Sequence, residues 1–139
     1  MVDLAHADEE IAACFGAMKQ LRTALAENNF VSQVRKLMEE GYQLAFLKQA
    51  EQVVCVAGFK IANNLVLGKH LYVEDLSTSE EVRSSGYGTE MMTWLREFAR
   101  REGCAAIHLD SGVQRHRAHK FYLNHNMNIV SYRFLEKLG

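Results

Sequence analysis

An arginine, two serines and two glycines come together in Arg83-Ser84-Ser85-Gly86-Tyr87-Gly88-Thr89, between an apparent strand over residues 70–78 and a long amphipathic segment. An R-x-x-G-x-G loop that feeds a helix leaves the first helical N–H groups without intrahelical acceptors. They sit at the positive end of the helix dipole and so offer a cradle for a phosphate or pyrophosphate. The two glycines remove the Cβ atoms that would otherwise stand between backbone and anion. A Walker loop is excluded, because no Gly-Lys-Ser/Thr closes the motif. A Rossmann fingerprint is disfavoured, because it needs a third glycine and an acidic residue about 20 positions on. On the loop alone, an ordinary glycine-containing strand–helix turn stays open as the plain alternative.

Just upstream, Glu74 and Asp75 are neighbours on the strand that leads into this loop. Side chains alternate along a strand, so the two carboxylates are expected on opposite faces and not as an acid/base dyad. Farther on, Tyr122 recurs with Ala118, Phe121 and His125 on one side of a short helical pattern, which by periodicity alone is packing. His116 and His119 lie three apart and share a helix face, but no third ligand or HExxH-like pattern accompanies them, so no metal is expected. Cys14, Cys55 and Cys104 are widely spaced and lack a CxxC pair, which fits reduced, buried thiols.

The elements that must position these groups belong to one domain of 139 residues. Its 48% hydrophobic and 24% charged residues are ordinary for a globular chain. A net charge of −1 gives no long-range attraction to nucleic acid or an anionic membrane. No apolar run approaches the ~20 residues of a membrane span. Residues 1–8 lack a basic n-region, so no secretory signal is expected and the expected compartment is the cytoplasm.

Helical spacing of Ile11, Phe15, Met18, Leu21 and Leu25 predicts one helix over 8–27, and Val31, Val34, Leu37 and Met38 predict a second over 30–40. Asn28 or Asn29 suits its N-cap, and Gly41 suits its C′ position. Strands are expected at 42–48, 52–61 and 69–77, with a hairpin at 49–51. A helix is expected at 86–102, a strand at 105–110, a helix at 115–125 and a closing strand at 127–135. Only residues 2–5 are left to supply an N-terminal strand.

Residues 70–123 resemble the GNAT superfamily of N-acetyltransferases. The resemblance rests on Glu74-Asp75-Leu76-Ser77-Thr78, then Arg83-Ser84-Ser85-Gly86-Tyr87-Gly88, then Arg115-His116-Arg117-Ala118-His119-Lys120-Phe121-Tyr122 followed by Asn126-Met127. The chain departs from the family pattern in three places. Ser84 replaces a common glycine, Arg115 stands where an asparagine often contacts the coenzyme, and Asn126 replaces a glycine but tolerates the left-handed conformation of a helix C-cap.

The resemblance implies an α/β domain with a mixed, mainly antiparallel central sheet and helices on both faces, and acetyl-CoA as co-substrate. By it, the backbone of Arg83, Ser84, Ser85, Gly86, Tyr87, Gly88 and Thr89 holds the pyrophosphate, with Arg115 near a phosphate. Leu76, Ser77 and Thr78 pair with the pantetheine and offer an N–H to the thioester oxygen. Tyr122 becomes the acid for the departing thiolate. Because residues 72–76 are similar to the strand of spermidine/spermine N-acetyltransferases, Glu74 becomes the general base, and Asp75, with Tyr72, binds the ammonium or serves as a structural carboxylate. The implied activity is N-acetylation of a primary amine by direct attack in a ternary complex, a polyamine or aminoalkyl compound being favoured over a protein. It involves neither nucleic acid nor membrane and admits a homodimer. The alternative is a non-catalytic CoA-binding regulatory or partner-binding module.

Overall fold

The computed structural model describes residues 1–79 and 85–139. Strand β1 (Val2–Leu4) leads into helices α1 (Asp8–Ala13), α2 (Phe15–Leu21) and α3 (Glu27–Glu39). Strands β2 (Gln43–Gln49), β3 (Gln52–Asn64) and β4 (Gly68–Thr78) follow, then α4 (Tyr87–Arg101), β5 (Ala106–Leu109) and α5 (His116–Asn124). The five strands lie in one sheet in sequence order, with β1–β2, β2–β3 and β3–β4 each antiparallel.

The central strands explain why this sheet holds. Residues Val53 to Phe59 of β3 are all buried, as a continuous apolar run must be when both faces are covered. On one face, Ile11, Met18, Phe30 and Val34 of α1–α3 pack with Leu44, Phe46 and Val56. Elsewhere in the core, the amphipathic α4 buries Met91, Met92, Leu95 and Ala99, and the Phe59 ring meets Trp94 and Phe98 edge-on at 6.2 and 5.4 Å.

Three expectations need correction, and one open point is answered. The helix expected over 8–27 is two helices that break at Cys14. There the backbone N–H turns to Ile11 C=O at 3.0 Å, and the next turn contains Gly16, a poor helix former. The following helix starts at Glu27 with Ala26 as its N-cap, so neither Asn28 nor Asn29 caps it. The N-terminal strand does form: Val2 to Leu4 pair with Leu47 to Ala45. The closing strand over 127–135 does not form, since residues 126–139 carry neither strand nor helix and no described sheet edge pairs with them. A strand pattern specifies a face, but the ladder itself needs a partner.

Two compact units divide the chain, residues 1–108 and 109–139. Gly41 and Gly103 close α3 and α4 as expected, and Asn126 follows α5 at a φ of 66°. Among the described residues no helix is long and apolar enough to cross a membrane.

Candidate functional site

Strand β4 and the start of α4 bring together most of the candidate residues of the first unit. Val82, Arg83 and Ser84 lie outside the described residues. Ser85 and Gly86 are exposed, and Gly86 is the residue before α4, at φ 87° and ψ 3°. That left-handed conformation costs an L-residue roughly 1–2 kcal/mol and glycine almost nothing. A Cβ at Gly86 would meet open space, so the backbone angle and not crowding calls for glycine here. Glu90 N–H closes the first helical bond, to Gly86 C=O at 3.0 Å, so Tyr87, Gly88 and Thr89 form the opening turn. Donors at such a turn face outward along the helix axis.

Strand β4 approaches this turn with a defect. Gly58 on β3 opposes Asp75, while the next residue, Phe59, opposes Val73, so Glu74 is the extra residue of a β-bulge. A bulge interrupts side-chain alternation, and the expectation that Glu74 and Asp75 point to opposite faces therefore loses its basis at this step. What distinguishes the two carboxylates is their partners. One Asp75 oxygen accepts from Arg22 Nε at 2.8 Å and the other from the Tyr42 hydroxyl at 2.7 Å. The same guanidinium donates to the Glu74 backbone C=O at 2.8 Å. The Glu74 carboxylate has Lys60 Nζ at 3.8 Å, a looser ion pair with both side chains about one-third exposed.

Burial, with Asp75 beside it, pushes the Tyr42 phenol far above its ordinary value. Tyr42 therefore stays a protonated donor to Asp75. A side chain at Gly58 would overlap the Tyr42 phenol, so glycine is what lets this ring lie against β3 opposite the bulge. Arg22, Tyr42 and Gly58 were not singled out by the sequence. The signal for Tyr42 was hidden because its apolar alternation with Leu44 and Phe46 reads as packing. Arg22, just past the end of α2, has no local pattern at all.

Beyond the bulge, Leu76, Ser77 and Thr78 pair with Ala57, Val56 and Cys55. Ser77 Oγ donates to Ala17 C=O at 2.7 Å and is buried, so this side chain ties β4 to α2. On its other side β4 is flanked by β5. That strand has four residues against the eleven of β4 and is anchored near the start of β4 by Ala105 N–H to Lys69 C=O at 2.7 Å. Among the described residues the outer edge of β4 therefore outruns its neighbour β5. Tyr72 is half-buried, with its ring 4.9 Å from that of His108, which in turn lies 4.8 Å from His70.

Tyr122 and Arg115 belong to the second unit. Tyr122 is half-buried on α5, its ring 5.5 Å from Phe121, and its C=O accepts from His125 and Met127 N–H in the left-handed turn at Asn126. Burial pushes its phenol up, and the Arg115 guanidinium pulls the other way. Arg115 itself is exposed and immediately precedes α5. His119 Nε2 lies 2.7 Å from Gly112 C=O and 6.2 Å, ring to ring, from His116. Burial raises the thiols of Cys14 to about 12 and Cys55 to about 11, which makes them inert at neutral pH.

Comparison with known proteins adds to this geometry. The profile of the Acetyltransferase (GNAT) family matches residues 6–127. An uncharacterized N-acetyltransferase, YhdJ of Bacillus subtilis, is 31% identical over 128 residues, covering 91% of this chain and 90% of its own. A GNAT family acetyltransferase of Staphylococcus aureus superposes with a TM-score of 0.83 at 18% identity, covering 99% of this chain and 98% of its own. The aminoglycoside N-acetyltransferase AAC(6')-Iy, solved in complex with CoA, superposes with a TM-score of 0.86 at 10% identity, covering 99% and 95%. At these identities the superpositions speak for the fold.

Proposed function

The chain belongs to the GNAT family of acetyltransferases, and on that premise we propose that it moves the acetyl group of acetyl-CoA to the primary amine of a small molecule by direct attack in a ternary complex. The observation that carries this reading is the left-handed Gly86 opening α4 directly after a strand whose outer edge outruns its neighbour. The opening turn, Ser85 to Thr89, supplies main-chain donors for the pyrophosphate. Arg83 and Ser84, outside the described residues, belong to the same R-x-x-G-x-G motif and are proposed to bind the same diphosphate, with Arg115 adding charge near a phosphate. The outer edge of β4 at Leu76 to Thr78 pairs with the pantetheine amides as an added strand would. One of its N–H groups then faces the thioester oxygen and stabilises the oxyanion.

In this scheme the ammonium of the acceptor loses one proton to Glu74, through a water, and the neutral amine attacks the thioester carbon. The tetrahedral intermediate collapses with cleavage of the C–S bond, and the leaving thiolate takes a proton from Tyr122. The second proton that the nitrogen sheds on becoming an amide returns through solvent to the tyrosinate. The Tyr122 phenol is protonated at neutral pH and so is able to donate, while the burial that raises it makes it a weaker acid toward the thiolate. No cysteine acyl-enzyme is required, and the raised thiols of Cys14 and Cys55 would be poor nucleophiles.

Of the two roles expected for Asp75, the structural one is favoured. Both of its oxygens already have strong donors, so an incoming ammonium would have to displace Arg22 or Tyr42. Glu74 is the carboxylate with room for an amine, with Tyr72 two residues away. The resemblance of residues 72–76 to the strand of spermidine/spermine N-acetyltransferases supports a compact amine over a protein. Neighbours that act on aminoglycosides keep larger amines open as a class. The test is a screen of polyamines, aminoalkyl compounds, amino acids and amino sugars with acetyl-CoA, read by thiol release. Turnover of a small amine is the expected result. Coenzyme binding with no turnover across the panel would favour the non-catalytic CoA-binding module instead.

A further inference from the structure

Each carboxylate at the bulge of β4 has a cation beside it, and the two pairs differ in kind. Asp75 accepts from Arg22 Nε at 2.8 Å and from the Tyr42 hydroxyl at 2.7 Å, while the guanidinium also donates to the Glu74 C=O at 2.8 Å. Hydrogen bonds lock that pair in place. Glu74 and Lys60 instead lie 3.8 Å apart, beyond hydrogen-bond length, with side chains 31% and 30% exposed. An ion pair so loose and so wet contributes little, and each of its charges can exchange the other for a better partner.

Strand register fixes the face on which this pair sits. Val56, Gly58 and Lys60 alternate along β3, so they share one side of the sheet. Val56 packs with the core residues of α1–α3, and the Tyr42 ring lies against Gly58. Lys60 therefore emerges on that same face one step farther on, opposite Tyr72. Helix α2 ends at Leu21, and Lys60, Tyr72 and Glu74 are all half-buried. The His108 ring of β5 stands 4.9 Å from that of Tyr72. One positive head, one negative head and two rings thus make up a single patch.

We propose that the acceptor is itself dipolar: a compact amino acid whose ammonium takes Glu74 and whose carboxylate takes Lys60. The inference rests on the acetyltransferase reading above and narrows its acceptor. Binding exchanges one loose ion pair for two charge-assisted hydrogen bonds and leaves the net charge of the patch unchanged. A plain amine would take Glu74 and leave Lys60 without a counter-charge, and a polyamine would bring a second ammonium beside it. The two heads stand 3.8 Å apart, a span that the closely spaced charges of an α- or β-amino acid can bridge. The rings of Tyr72 and His108 suit an apolar side chain on that acceptor. Acetylation turns the ammonium into a neutral amide and leaves the carboxylate, so the product loses its hold on Glu74, and Lys60 can return to it.

The test sets amino acids against the amines that lack only their α- or β-carboxylate: phenylalanine with phenethylamine, leucine with isoamylamine, β-alanine with ethylamine, lysine with cadaverine. Each pair is compared as kcat/KM by thiol release from acetyl-CoA. The unmodified chain should favour the acid at least about tenfold in the pairs it accepts, the size of one hydrogen bond to a charged group. Lys60→Met, which keeps the stem and removes the charge, should erase that preference, and Lys60→Arg should retain it. Lys60→Glu should reverse it, with cadaverine favoured over lysine. A merely structural role for Lys60 would lower both members of a pair alike and leave their ratio in place, which overturns the proposal. Turnover of amines with no preference for the acid overturns it too, while the acetyltransferase reading stands. No thiol release with any member overturns that reading and takes this inference with it. If Lys60→Met does not fold, the ratios of the unmodified chain and of Lys60→Arg decide.

Discussion

Residues 1–108 and 109–139 are built on opposite terms. The first unit buries 25 apolar residues and ties its bulged β4 through Arg22, Tyr42 and Ser77. The second has a helix with no buried residue and an apolar arm in water, yet it carries Tyr122, the acid of the proposed chemistry. The proposed binding backbone thus belongs to the well-packed unit, while the proposed proton donor sits on a helix with no buried residue. Core substitutions in the first unit should therefore act on stability, and substitutions of Tyr122 in the second on turnover.

The largest contrast is between aromatic residues. Phe59→Ala removes a fully buried ring and should cost about 3–5 kcal/mol in denaturant unfolding, whereas Phe134→Ala in dilute solution should stay within about 0.5 kcal/mol. Comparable losses would mean that the second unit has a core of its own. Tyr122→Phe should leave the unfolding midpoint nearly unchanged and lower kcat by roughly 10²–10⁴-fold, the range for loss of a general acid. Full-speed turnover of an identified amine would remove the acid role.

Within the first unit, Gly58→Ala forces the Tyr42 ring away from Asp75 and should cost about 1–3 kcal/mol, as overpacking does. Tyr42→Phe combined with Gly58→Ala should cost less than the sum, since the ring is the shared partner. Arg22→Ala should cost only about 1 kcal/mol or less, because the guanidinium is half-exposed and screened. It should, however, flatten or shift the alkaline rise of the pH–rate profile, because the guanidinium holds the Glu74 carbonyl at the bulge. An unchanged profile would make Arg22 a surface contact.

These last residues show where the sequence was readable. Periodic elements were legible: β3 from its unbroken apolar run, α4 from Met91, Met92 and Leu95, and the glycine turn from its R-x-x-G-x-G spacing. The bulge at Glu74 was not, because it is set by the register between Gly58 and Asp75 across two strands, and no local pattern encodes a cross-strand offset. For Asp75 the sequence left ammonium binding and a structural role both open, because Arg22 and Tyr42 reach it from 53 and 33 residues away. The closing strand was misread for a related reason: residues 127–135 have the pattern, but a ladder also requires an edge to receive it.

A further effect is confined to alkaline pH. Cys14 and Cys55 bind their protons more tightly folded than unfolded, so above an ordinary thiol value near 9 the folded state holds more protons. Stability should then be level up to about pH 9 and fall as pH rises toward 11 and 12. Cys104, only partly buried, should react with a thiol reagent in the native protein while the other two wait for unfolding. Rapid labelling of all three would contradict a tightly packed first unit.

The central claim is that the turn opening α4 grips the diphosphate of the coenzyme, and calorimetric titration with acetyl-CoA addresses it directly. The unmodified chain should bind one equivalent, and Gly86→Val, which forces a β-branched residue into a left-handed backbone, should weaken binding at least about tenfold. No heat of binding, or equal affinity in a folded Gly86→Val protein, would contradict it.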